Sequence, residues 1–314
     1  MSNSIQSLSI SGLLTLDMHA MNNEGSEGNQ LQTRMIHIFD EKGKPAVVNA
    51  ISGDMLKHMQ AEHLHGLAVS KGLPLCEGCK VFSANRINAD SDFMKTLGEK
   101  SAIADTVTKV LGHCAVDDLE GVLITQGNRS APRKSTVEFG WLIGLPEKNR
   151  TESYFHVKFE PNRAKGSGDE SGANLGQNIF YRPASSGQYA LVMNAELSRI
   201  GFNDVTRQYD IAPQERQART RALLESVLLT FIKPLGAHRN TQFPHILTFS
   251  GVIAVSTSTV PAPTISPLNS AYTTELTGIA DNLNRVFADA ITLHPFKSST
   301  EFTKIMADLI EQAG

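Results

Sequence analysis

Three cysteines in 314 residues cannot pair completely, which argues against the disulfide framework of a secreted protein. No apolar run reaches the roughly 20 residues that span a bilayer, so no membrane segment is expected. The opening MSNSIQSLSISG has neither a basic start nor a continuous apolar stretch. It does not read as a signal peptide, and a cytoplasmic location is expected. Neither sign of charge dominates: 29 Lys and Arg against 32 Asp and Glu leave a net −3. Any site for a polyanion must therefore be a local patch on a nearly neutral body. Aromatic residues are sparse, at 6% with one tryptophan.

Familiar catalytic motifs are missing as well. There is no G-x-S-x-G elbow, no Walker loop and no dinucleotide fingerprint. Gly166-Ser167-Gly168 lacks the strand-to-helix setting that would place a pyrophosphate on a helix start. Carboxylates are not gathered in pairs within apolar stretches, as a glycosidase or nuclease would need. No catalytic residue and no cofactor is expected. No tandem repeat and no long low-complexity tract is present.

What is there describes an ordinary folded chain, 40% hydrophobic and 19% charged with a mean hydropathy of −0.18. That length can bury one large core or two modest ones. From Ser7 to His19 the residues alternate, with Leu8, Ile10, Leu14, Leu16 and Met18 on one face and serines on the other. Period two predicts a half-buried strand. Asn22 to Asn29 has nothing to bury and reads as a surface loop. Thr33–Phe39 and Ala46–Val48 follow as strands. A helix runs from Ser52 to about Val69, with Ser52 as N-cap and Asp54 complementing its dipole.

Lys71 to Asn88 reads as irregular, and Leu119–Thr125 and Thr136–Leu145 as strands. Pro161 to Asn178 reads as an excursion thrown out between two strands, Tyr154–Phe159 and Ile179–Met193. Pro213–Lys233 is the longest helix signal, with Leu247–Ser256 a strand, Pro261–Pro267 a stiff linker, and Tyr272–Ala290 and Ser299–Gln312 amphipathic helices. The pattern predicts an α+β sheet fold in one elaborated domain over residues 1–314.

Three constellations could carry chemistry. His58, Glu62 and His65 fall within about 60° of one another on the first helix, while His63 points toward Met55, Leu56, Met59 and Leu67. They could ligate a metal in a ribonuclease, although their spacing is not the zinc-peptidase one; a solvated polar stripe is the blander alternative. Cys76-Glu77-Gly78-Cys79 offers two zinc ligands, and Cys114 with His113, or a histidine of the preceding helix, could complete a zinc staple. Reduced, structurally neutral thiols are the favoured reading there. The third group is basic and amide-rich loops: Arg129, Arg133 and Lys134, which lack acidic neighbours in sequence; Arg239 and Asn240; and Gln177, Asn178 and Arg182 beside the excursion. Arg216, Arg219 and Arg221 crowd one helix. Such side chains on loops hold phosphates and sugars without a large positive field.

Five sequence blocks then carry a resemblance: Leu16 to Gly25 (LDMHAMNNEG), Ala50 to His58 (AISGDMLKH), Gln60 to Leu64 (QAEHL), Ser83 to Ile87 (SANRI) and Arg239 to Pro244 (RNTQFP). Together they resemble the DevR autoregulator family, the repeated backbone subunits of type I CRISPR effector complexes (Cascade). The resemblance implies a modified RNA-recognition, ferredoxin-like palm, a finger insertion over about 70–135, a thumb hairpin over about 160–179 and C-terminal helices over about 270–314. It implies no catalysis. Copies would polymerise head to tail along CRISPR RNA with other Cascade subunits and display its bases for pairing with target DNA in antiviral defence.

On that resemblance the RNA-contact candidates are His19, Asn22, Asn23, Ser52, Lys57, His58, Arg86, Arg129, Arg133, Lys134, Gln177, Asn178, Arg182, Arg239 and Asn240. The aromatic spacing with which RNA-recognition sheets stack bases is absent, which suits a protein that grips the backbone and leaves bases free. A DNA-binding regulator is the remaining alternative, although no helix-turn-helix pattern is evident.

Overall fold

The computed structural model describes residues 4–21, 23–27, 30–98, 101–125, 130–159, 177–236 and 239–313. The chain opens with β1 (Ser7–His19), the paired β2 (Asn23–Glu27) and β3 (Gln30–Thr33), then β4 (Met35–Phe39) and β5 (Pro45–Ile51). Helix α1 (Gly53–Ser70) leads into short elements: α2 (Glu77–Lys80), a 3-10 turn at Arg86–Ala89, α3 (Ser91–Thr96), α4 (Ile103–His113) and α5 (Ala115–Glu120). Strands β6 (Val122–Ile124), β7 (Ala131–Arg133) and β8 (Val137–Phe139) return the chain to the sheet. The long β9 (Leu142–Phe159) and β10 (Gln177–Ala195) follow, then β11 (Phe202–Asn203) and β12 (Gln208–Tyr209). The last third holds α6 (Pro213–Ile232), β13 (His245–Ser256), α7 (Tyr272–Phe287), β14 (Ile291–Phe296) and α8 (Ser299–Ala313).

These elements make a mixed α+β fold around one large sheet, in the order β14-β13-β1-β10-β9-β5-β4. Strand β1 lies inside it, antiparallel to both β10 and β13. Its apolar residues Leu8, Ile10, Leu14 and Leu16 enter the main core with Leu56, Met59 and Leu64 of α1, Leu223, Leu224 and Val227 of α6, and Phe302 and Met306 of α8. Burial of these side chains, each worth about 1.5–3 kcal/mol, holds the three helices on that face.

The opposite face of β1 departs from the half-buried expectation. Ser7, Ser9 and Ser11 are buried too, because the proline-rich 261–267 segment crosses them. The Ala262 and Ile265 amides donate to the Ser7 and Ser11 hydroxyls at 3.0 and 3.2 Å, and Ser9 Oγ donates to the Pro263 carbonyl at 2.6 Å. A segment rich in proline has few amides of its own, and here the serines supply partners for the chain that covers them.

Four of the scarce aromatics gather in one place. Phe231, Phe249, Phe296 and Phe302 form one cluster with ring centroids 4.8–5.8 Å apart. Gly12 and Gly251 face each other across β1 and β13 beneath it, and a Cβ on Gly12 would sit 2.9 Å from Phe249 Cε2. Glycine here makes room for rings.

Other departures have local causes. Residues 71–88 are organised rather than irregular, because α2 and the 3-10 turn are closed by side-chain and backbone bonds instead of an apolar period. Leu119 and Glu120 end α5, so the strand expected there shrinks to β6. Part of the expected surface loop at 22–29 forms β2, which pairs with β3. Strand β14 (Ile291–Phe296) joins the sheet edge through β13, a pairing that period alone could not announce. Strands β9 and β10 pair as far as Phe159 with Gln177, while the excursion between them (160–176) lies outside the described residues. Among the described residues no helix is long and apolar enough to cross a membrane.

Candidate nucleic-acid interface

Helix α1 begins as its sequence requires: Ser52 Oγ accepts the Met55 amide at 3.2 Å. This leaves Lys57 and His58 one turn later, beside the loop 81–86. Two non-glycine residues of that loop, Phe82 and Arg86, have positive φ of 53° and 48°. Such conformations cost of order 1–3 kcal/mol each and persist where surrounding contacts impose them. The contacts are visible. The Phe82 ring lies 5.5 Å from the His58 ring and 5.1 Å from that of His65, and the Ser83 amide donates to the Gly78 carbonyl at 2.9 Å.

A cleft of about 370 Å³ opens between α1 and this loop. Lys57, His58, Phe82, Ser83 and Arg86 line it, and Asp54 shares its rim. Lys57 donates to the Glu120 carbonyl oxygen at 3.0 Å and sits 3.9 Å from its carboxylate. Burial draws the Lys57 ammonium below its ordinary pKa, with Glu120 opposing. Burial likewise pushes the Glu120 carboxyl up, while Lys57 and Arg86 pull it down. The cleft thus has two cations, an imidazole and one aromatic face, a set suited to phosphate and base together.

Residues 233–236 and 239–242, which follow α6, make two separate sets of contacts. The His63 ring nitrogen is 2.7 Å from the Lys233 carbonyl, so this histidine meets the end of α6 as well as its own helix. Gly236, with φ +69°, lies against His58 and Glu62 so closely that a Cβ would overlap the His58 ring. Farther on, Arg182 Nη1 donates to Thr241 Oγ1 at 2.9 Å and stacks over Phe180, and Gln242 Nε2 donates to the Pro183 carbonyl at 2.9 Å. Arg239 is half-buried and Asn240 exposed on the same segment. Structure therefore brings Lys57, His58 and Arg86 together around one cleft, and separately pairs Arg182 with Thr241, beside Arg239 and Asn240 in sequence.

Two candidates lie inside the protein. His19 is buried, with its Nε2 2.8 Å from Tyr189 Oη, and burial lowers its pKa to about 4. The register of β1 against β10 shifts between Leu16 and His19, with Met18 at φ 55° and exposed. That one-residue irregularity exchanges the two faces and turns His19 inward. Arg133 is corrected for a different reason. Its acidic partners come from remote segments: Asp118 at 2.6 Å and Asp204 at 3.2 Å, with three carbonyls besides. Arg219 joins the same buried group through Asp118 at 2.8 Å, and Arg221 pairs with Glu225.

The remaining candidates are dispersed. Ser52 is used as a cap. Lys134 is exposed in a separate cleft with Arg199 and Asp204. Asn23 opens β2, and Gln177 and Asn178 open β10 opposite Phe159 and Lys158. Asn22 and Arg129 lie outside the described residues. His58, Glu62 and His65 form no metal-capable group; His65 Nε2 is 3.1 Å from the Lys80 carbonyl instead. Sequence reasoning overlooked Phe82. A lone aromatic just before Ser83-Ala84-Asn85-Arg86 was the available signal.

Residues 10–276 match the family described as CRISPR-associated negative auto-regulator DevR/Csa2. The fold is similar to a chain of a "CRISPR RNA-guided surveillance complex, pre-nicking", with a TM-score of 0.55 at 13% identity over 98% of this chain and 100% of that one. A chain of a second "CRISPR RNA-guided surveillance complex" gives 0.52 at 13% identity over the same shares. No curated protein matches the sequence. With the family match spanning most of its length, the chain belongs to the DevR/Csa2 family of CRISPR-associated proteins.

Proposed function

We propose that this protein is a non-catalytic backbone subunit of a Cascade-type surveillance complex, working in the cytoplasm, that grips CRISPR RNA and polymerises head to tail along it. The observation that carries the reading is the cleft in which Lys57, His58, Phe82 and Arg86 meet, with Gly236 packed against His58. Cations and amides from several blocks bind a ribose-phosphate strand without reading base edges, so its bases stay available to target DNA.

One elaborated domain would serve this role. The large sheet would be the palm, the elements between α1 and β8 the finger, and the β9–β10 hairpin the base of a thumb. Tyr154, Phe155, Val157 and Tyr181 are exposed on that hairpin, at 38%, 56%, 46% and 41%. A projecting arm with apolar side chains favours cover by a neighbouring copy, and a heterologous contact that does not close builds an open filament. The test is expression of the chain with a guide. Copurified RNA and a helical particle by electron microscopy are expected. A nucleic-acid-free monomer under those conditions would overturn the reading.

A further inference from the structure

We infer that Cys76, Cys79, Cys114 and Asp117 form a structural zinc site, a closed set of three thiolates and one carboxylate. Their ligand atoms all lie within 4.8 Å of one another, the one such group among the described residues. Cys76 Sγ is 3.2 Å and Cys79 Sγ 3.5 Å from Asp117 Oδ2. Tetrahedral zinc with Zn–S bonds of about 2.3 Å sets its sulfurs about 3.8 Å apart, so small displacements would close the shell.

The backbone holds the four ligands in two matching halves. Cys76 and Cys79 flank the first turn of α2, and Cys114 and Asp117 that of α5. In each half the leading sulfur accepts the amide of the trailing residue, Cys79 N at 3.3 Å and Asp117 N at 3.5 Å. Amide bonds to sulfur orient a thiolate ligand and spread its charge. Gly78 allows the first half to pack closely: a Cβ there would overlap the Arg86 carbonyl oxygen.

Burial provides the second argument. All three cysteines are 0–2% exposed, Asp117 is 0% exposed, and its Oδ1 has no hydrogen-bond partner. Among the described residues no cationic side chain donates to any of the four. Deprotonated, these groups would gather negative charge away from water with only the Arg86 charge acting on Asp117, and a divalent cation supplies the compensation. Thiolates select zinc over magnesium, calcium or manganese, and four protein ligands leave no open position for catalysis. Each coordinating thiol would release its proton to solvent on binding. His113, a candidate fourth ligand from the sequence, instead meets Asp90 at 3.0 Å.

Such a site would tie the loop carrying Phe82 and Arg86 to α5, whatever that loop binds. Purified full-length chain, grown with zinc and freed of loose metal, should hold about one zinc ion per chain by mass spectrometry. Cobalt exchanged into it should give thiolate charge-transfer absorption and the visible bands of a tetrahedral site. Cys79→Ser and Asp117→Ala should lower zinc content at least severalfold. Should either variant fail to fold, thiol titration of the unaltered chain still decides: three thiols that react only as a mercurial releases zinc support the site. Less than a tenth of a zinc per chain, with three freely reactive thiols and no cobalt spectrum, would overturn it.

Discussion

Arg133 lies buried against Asp118, its Nη2 2.6 Å from Oδ1, while Arg219 takes the other carboxylate oxygen at 2.8 Å. One carboxylate thus joins the end of β7, α5 and α6, and the Gly201 amide donates to it as well. Removing one member of such a group leaves buried charge uncompensated.

Asp118→Ala should therefore cost about 3–5 kcal/mol of stability, read as a lower denaturant midpoint. Arg133→Ala should behave alike. An unchanged midpoint accompanied by lost RNA binding would return Arg133 to the interface.

Arg86→Gln removes a cation from the α1 cleft and keeps the stem of the side chain. If it meets a phosphate, binding should weaken alike for all guide sequences, and the logarithmic salt slope should fall by about 0.7. Phe82→Ala should lose about 1–3 kcal/mol if a base stacks there. Loss confined to one guide sequence would contradict backbone gripping.

His19 gives a dependence on pH. Its folded pKa of about 4 lies below the ordinary histidine value of 6.5, so the unfolded chain takes up the proton first as pH falls. The stabilisation is complete above 6.5 and diminishes down to about 4, by about 3 kcal/mol in total. In His19→Gln this part of the acid limb should vanish. Identical acid profiles for both proteins would refute the assignment.

The β9–β10 hairpin can be tested without touching the core. Ser in place of Phe155 or Tyr181 should alter stability by under about 0.5 kcal/mol, since both are exposed. With guide RNA, these variants should sediment as shorter particles. Full-sized particles would mean that neighbours pack elsewhere.

Much of the fold was legible because local periodicity and capping act over a few residues. Ser7–His19 emerged with both ends as expected, Ser52 caps α1, and Pro213 stands at the first turn of α6. The elements that escaped notice are short ones whose stability comes from elsewhere. α2 is four residues closed by a cysteine cap, and β11 and β12 pair over two residues each. At the level of blocks the sequence named Lys57, His58 and Arg86, which the structure gathers around one cleft. Burial was not, because Arg133 looked free until Asp118 and Asp204 arrived from other parts of the chain.

Sequence alone determined the central strand, the two long helices and the family, since each depends on residues close together or on a specific order of blocks. Tertiary structure alone decided which charges face water, which histidine turns inward, and that Asp117 joins three cysteines. Those outcomes depend on distances between segments tens of residues apart, and on desolvation that only packing creates.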